Sequence, residues 1–102
     1  GALKIPLPTI FNKEYRMKLK QGFLLREIAG DTVVIPTGDN LDLNMMITLN
    51  DTGKFIWQQL ENETDEAAIV QALRAEYDVD EAAAQHHVAA FVQKLKEHDF
   101  IQ

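Results

Sequence analysis

Residues 45–60 read MMITLNDTGKFIWQQL, and the hydrophobic period changes in the middle of them. Met45-Met46-Ile47-Thr48-Leu49 alternates as a short strand does, with Met45, Ile47 and Leu49 on one face and Met46 and Thr48 on the other. From Asn50 the period becomes helical. Asn50 or Asp51 is suited to cap the helix N-terminus, and Ile56, Trp57 and Leu60 then share one face. Gly53, early in that helix, lowers helix propensity but leaves room for close packing. The join therefore divides the chain into strands before it and helices after it.

Upstream, GFLLREI (22–28), then Ala29-Gly30-Asp31, then TVVIP (32–36) read as a β-hairpin: two runs of aliphatic and β-branched residues around a short glycine loop. Pro36 has no N–H for a ladder and should end the second strand. Thr37-Gly38-Asp39-Asn40 reads as a turn. Further back, LKIPLPTI (3–10) favours an extended arm, and Leu3, Ile5, Leu7 and Ile10 are apolar enough to pack on the domain. Residues 11–21 are basic and mixed, and no element is assigned there.

Downstream, Thr64 is the cap expected for a second helix, with Asp65 and Glu66 favourable at its positive end. Ile69, Val70, Leu73 and Tyr77 form its buried stripe. Asp80 should cap a third helix, whose apolar stripe runs Ala84, Val88, Phe91, Leu95. Lys94, Lys96 and His98 suit its negative end, and Phe100-Ile101 should fold back on the core. Only Asp78-Val79 or so separate helices two and three, a spacing typical of a helix-turn-helix. Three strands followed by three helices predict an α+β domain, a small antiparallel sheet packed on a helical trio.

Composition narrows the function. The chain has 102 residues, 46% of them hydrophobic, which suits one domain with one modest core. It has no Cys and no Ser, so disulfides, thiolate metal sites, and Cys and Ser nucleophiles are excluded. No apolar run reaches the roughly 18 residues of a membrane span, and no secretory signal pattern opens the chain. A cytoplasmic protein is expected. The net charge is −6, concentrated late: residues 1–40 carry six Lys/Arg against four Asp/Glu, and residues 41–102 carry four against twelve. Such a surface repels phosphate backbones, and the first turns of the third helix, Glu81 to Val88, carry no Lys or Arg. His86 and His87 are adjacent on a helix and point about 100° apart, so they cannot chelate one ion together. No phosphate-cradling loop is present. The acids Glu61, Glu63, Asp65 and Glu66 read as capping and solubility.

The order and spacing of GFLLREI with TVVIPTG, ITLNDTGKFIWQQL, AAIVQALRAEYDVD and HHVAAFVQKLKEHDFI resemble the PqqD-like family: pyrroloquinoline quinone synthesis protein D and related leader-peptide recognition elements of ribosomal-peptide biosynthesis. The resemblance covers roughly residues 22–101. It divides the chain into an extended arm, 1–21, longer than the family's usual lead-in, and a peptide-binding domain, 22–102. It implies a winged helix-turn-helix-like fold that is not an enzyme and needs no cofactor. An extended leader segment of a precursor would add as a strand beside the third strand, in a groove flanked by the third helix. Backbone hydrogen bonds would then give affinity, and side-chain pockets selectivity.

Carried onto this sequence, the peptide site is Met45, Met46, Ile47, Thr48 and Leu49, with His87, Phe91 and Lys94 on the third helix. Met suits an adaptable peptide surface. The implied partners are a precursor leader peptide and a modifying enzyme such as a radical S-adenosylmethionine protein. Weak self-association is allowed, and neither nucleic acid nor membrane is implied. The rival readings are a winged-helix DNA-binding regulator, disfavoured by charge, and an enzyme or enzyme subunit, disfavoured by the missing nucleophiles.

Overall fold

A computed structural model describes residues 16–37 and 46–102. The expectations for the arm at 3–10, for Met45, and for the turn at 38–40 lie outside the described residues. Strands β1 (Phe23–Ile28), β2 (Asp31–Pro36) and β3 (Ile47–Leu49) form an antiparallel meander in the order β1-β2-β3. Helices α1 (Asp51–Gln59), α2 (Glu66–Glu76) and α3 (Glu81–Glu97) follow. This is the α+β order the sequence predicts.

The hairpin is tighter than expected. Ile28 pairs directly with Asp31, so the loop is only Ala29-Gly30, and Asp31 belongs to β2. Both loop residues have positive φ, 52° and 88°. That is the pattern of the primed turns whose twist matches the strands. Pro36 is the last residue of β2, as expected of a residue without an N–H.

Each helix begins on a side-chain cap. Asn50 accepts from the Gly53 N–H at 2.7 Å, and Asp80 from that of Ala83 at 2.7 Å. For α2 the cap is Asp65, which accepts from Ala68 at 2.8 Å, and not Thr64. Thr64 is committed elsewhere: its backbone exchanges hydrogen bonds with Met17, at 2.6 and 2.9 Å.

Phe23, Trp57 and Phe100 meet edge-on at the centre, with Phe100 4.6 Å from Phe23 and 5.5 Å from Trp57 between ring centroids. Around them pack Val34, Leu49, Ile56, Leu60, Ile69, Leu73, Val88 and Leu95. Each such side chain contributes about 1.5–3 kcal/mol on leaving water. The chain's last turn delivers Phe100. Asp99, at φ 63°, reverses the backbone, the Phe100 N–H bonds the Leu95 carbonyl, and the Asp99 N–H bonds that of Lys96. These two bonds make a Schellman stop to α3.

Residues 16–20, assigned no element from sequence, run along this core. Met17 and Leu19 are buried, bridging to Thr64 and Ile101. The α3 stripe also differs from expectation at one place. Val92 is buried with Ala84, Val88 and Leu95, while Phe91 is half-buried on the flank. Positions 91 and 92 both satisfy the helical period after Val88. The packing of α3 selects the smaller residue for its centre. Tyr77 likewise leaves the α2 stripe: it is the extended residue that ends the helix, its ring edge-on to Phe55 at 5.8 Å.

Candidate functional site

Among the described residues β3 is a sheet edge, paired only with β2. The register fixes which of its backbone groups are spare. The Thr37 N–H bonds the Gly22 carbonyl directly across the β1–β2 ladder. Hydrogen-bonded pairs in an antiparallel ladder recur every second residue, so Ile35 and Val33 also turn their backbone groups toward β1. Val34 and Thr32 therefore turn theirs toward β3, where their partners are Ile47 and Leu49. Thr48, opposite Val33, directs its N–H and C=O away from the sheet. Met46, two residues earlier, falls on the same alternation.

Side chains alternate too. Leu49 is buried, Ile47 is half-buried against the core, and Thr48 and Met46 are exposed, Met46 at 37%. The strand thus holds the core with two side chains, and its outer edge is unpaired among the described residues.

Where β3 ends, a cleft of about 300 Å³ opens between the start of α1 and the side of α3. Asn50, Thr52, Gly53 and Ile56 form one wall, and His86, His87, Ala90, Phe91 and Lys94 the other. Positions 86, 87, 90, 91 and 94 make one continuous face of a helix with 3.6 residues per turn. The walls approach closely because residue 53 has no side chain. A Cβ there would lie 3.1 Å from Asn50 Oδ1, 3.2 Å from Phe91 Cε1 and 3.7 Å from Leu49 Cβ. Gly53 also donates the capping bond to Asn50, so one residue fixes both the helix start and the seat of the Phe91 ring.

His87, Phe91 and Lys94, the helical residues expected at the site, all line this cleft, and Leu49 lies at its end. The expectation missed Asn50, Thr52, Gly53, Ile56, His86 and Ala90. The spacing of His86 and Ala90 on the α3 face carried that signal. The contribution of the α1 N-terminus did not, since it depends on how α1 crosses α3.

A second hollow, about 400 Å³, lies between α2 and α3, lined by Glu66, Ala67, Val70, Gln71, Glu81, Gln85 and Ala89. The sheet's far edge has its own polar tie. Glu27 Oε2 accepts from the Thr32 hydroxyl at 3.0 Å and from Lys54 Nζ at 3.2 Å, which hold its carboxyl below its usual range. No helix among the described residues is long and apolar enough to cross a membrane.

A model of the family described as coenzyme PQQ synthesis protein D (PqqD) matches residues 31–101. No curated protein sequence matches the chain. Three solved structures share the fold. TbiB1 in complex with the TbiA(beta) leader peptide is 24% identical, with a TM-score of 0.66, over 83% of this chain and 94% of that one. Lasso peptide synthetase B1, complexed with the leader peptide, is 27% identical, with a TM-score of 0.65, over 84% and 96%. The PqqD truncation of Methylobacterium extorquens PqqCD was solved in solution as a stand-alone recognition element for ribosomally synthesized, post-translationally modified peptides. It is 17% identical, with a TM-score of 0.65, over 85% and 88%.

Proposed function

Since this chain belongs to the PqqD family, we propose that it is a non-catalytic adaptor that captures the leader segment of a ribosomally made precursor peptide. The observation that carries the mechanism is the outward-facing backbone of Thr48, on a strand edge that runs into the cleft beside Phe91. An extended peptide laid along β3 extends the sheet by one strand, exchanging hydrogen bonds with Thr48 and Met46. Each such bond contributes about 0.5–1.5 kcal/mol net. Side chains on the peptide's inner face meet Phe91, His87 and Lys94. Met46 to Leu49 form one border of the site, with Ile47 and Leu49 anchoring the strand through the core. The leader-bound lasso peptide synthetase B1 supports this reading.

The captured precursor is handed to a separate modifying enzyme, of which a radical S-adenosylmethionine protein is one candidate class. The encounter belongs in the cytosol, where the precursor is made. The experiment is amide hydrogen exchange of the full chain, with and without the leader of the precursor encoded beside its gene. The Thr48 amide should become protected on binding while those of β1 stay unchanged. Saturating binding that leaves Thr48 unprotected would reject the mechanism.

A further inference from the structure

Resting on the peptide-capture reading, we infer that this cleft selects a segment carrying an acidic side chain on the same face as an apolar one. Residues 41–102 carry twelve Asp/Glu against four Lys/Arg, yet among the described residues no Asp or Glu lines the cleft. Its ionisable lining is Lys94, His86 and His87. The four ion pairs among the described residues are Arg16–Glu63, Lys20–Asp99, Lys54–Glu27 and Arg74–Glu81, so the Lys94 ammonium is left without a carboxylate partner there. The nearest acids along the chain are otherwise engaged: Glu97 accepts from the Gln93 amide at 3.3 Å, and Asp99 pairs with Lys20 at 2.7 Å. Asp51, at the start of α1, is exposed and outside the lining.

The uncharged lining is polar at Asn50 and Thr52, and apolar or small at Ile56, Ala90, Phe91 and Gly53. An apolar side chain fits against Phe91 and Ile56, and a carboxylate fits at Lys94 one helical turn further on. Side chains on one face of an extended peptide recur every second residue. The two selected residues should therefore be an even number of positions apart. Elsewhere the acidic surface repels such a segment, so charge also fixes where it lands.

The test pans a phage-displayed random peptide library on the full chain, then titrates one enriched peptide and its Asp→Asn or Glu→Gln form. The enriched set should carry an acid at a fixed even spacing from an apolar residue. The amide form should bind on the order of two- to fivefold more weakly, as for an exposed ion pair. A Lys94→Gln variant, its fold checked by circular dichroism, should bind both forms alike, and panning on Lys94→Glu should replace the acid by Lys or Arg. Enriched peptides without an acid, or an amide form that binds the parent chain equally well, would overturn the acidic selectivity. Strand capture would survive that result if Thr48→Pro still weakened binding at least severalfold. No enrichment at all, or binding indifferent to Thr48→Pro, would overturn capture and the selectivity with it.

Discussion

The ring of Phe91 rests against the bare backbone of Gly53, so close that a Cβ at residue 53 would lie 3.2 Å from Phe91 Cε1. That contact joins the start of α1 to α3 and sets the width of the cleft. Glycine in a helix normally costs about 1 kcal/mol relative to alanine. Gly53→Ala should nevertheless bring no gain. The new methyl must displace either the Phe91 ring or the Asn50 carboxamide, and the latter is held by its 2.7 Å capping bond. Thermal unfolding should show an unchanged or lower melting temperature, and titration should show weaker peptide binding. A melting temperature several degrees higher would mean the contact is slack.

Phe100 is fully buried beside Trp57 and Phe23, and it reaches that position because the backbone reverses at Asp99, just past the end of α3. Phe100→Ala should cost about 3–5 kcal/mol, a large share of the 5–15 kcal/mol typical of a whole domain. The urea midpoint would measure it. A loss below about 1 kcal/mol would show that Phe100 is not central to the core.

Met17 and Leu19 belong to the same core from the other end of the chain. Each truncation to Ala should cost about 2–5 kcal/mol. A chain beginning at Gly22 should melt well below one beginning at Arg16. Equal melting curves would show that the 16–20 segment adds nothing.

The Glu27 carboxylate is shared by the Thr32 hydroxyl and the Lys54 ammonium, and its pKa is depressed, first by Thr32 and then by Lys54. A depressed carboxylate contributes stability above its unfolded pKa and loses it as pH falls through the folded value. The parent should therefore be more stable than Glu27→Gln at pH 7, and the two should converge as pH drops below about 4. The pair is exposed, so the difference is small and should shrink further in salt. Melting temperatures across that pH range test it. A gap that persists at low pH would assign the effect to something other than ionisation.

Much of this molecule is legible in its sequence, and what is not has physical causes. The period change at Asn50, the Pro36 stop and the cap at Asp80 depend on neighbours in the chain, and the structure matches them; of Asn50 and Asp51 it selects Asn50 as the first cap. Asp65 displaces Thr64 as a cap because Thr64 is drawn into a bridge with Met17, a contact between distant residues. Residues 16–20 read RMKLK, a strict alternation. Two apolar residues are too few for a strand assignment, and their partners lie at Thr64 and Ile101. Phe91 and Val92 cannot be ranked by period alone. Packing of α3 into the core buries Val92 and leaves Phe91 at the cleft.

Addition of a peptide to the outer edge of β3 makes opposite demands on two neighbouring residues, which a pair of proline variants separates. Proline removes an N–H and is tolerated only where that N–H faces an open edge. Ile47 turns its backbone toward Val34, and Thr48 turns its backbone outward. Circular dichroism should show Ile47→Pro unfolded or strongly destabilised, and Thr48→Pro folded. Titration of Thr48→Pro with the leader peptide should then show binding lost or weakened at least severalfold, because one donor of the added strand is gone. A folded Thr48→Pro that binds as tightly as the parent would contradict strand addition at β3.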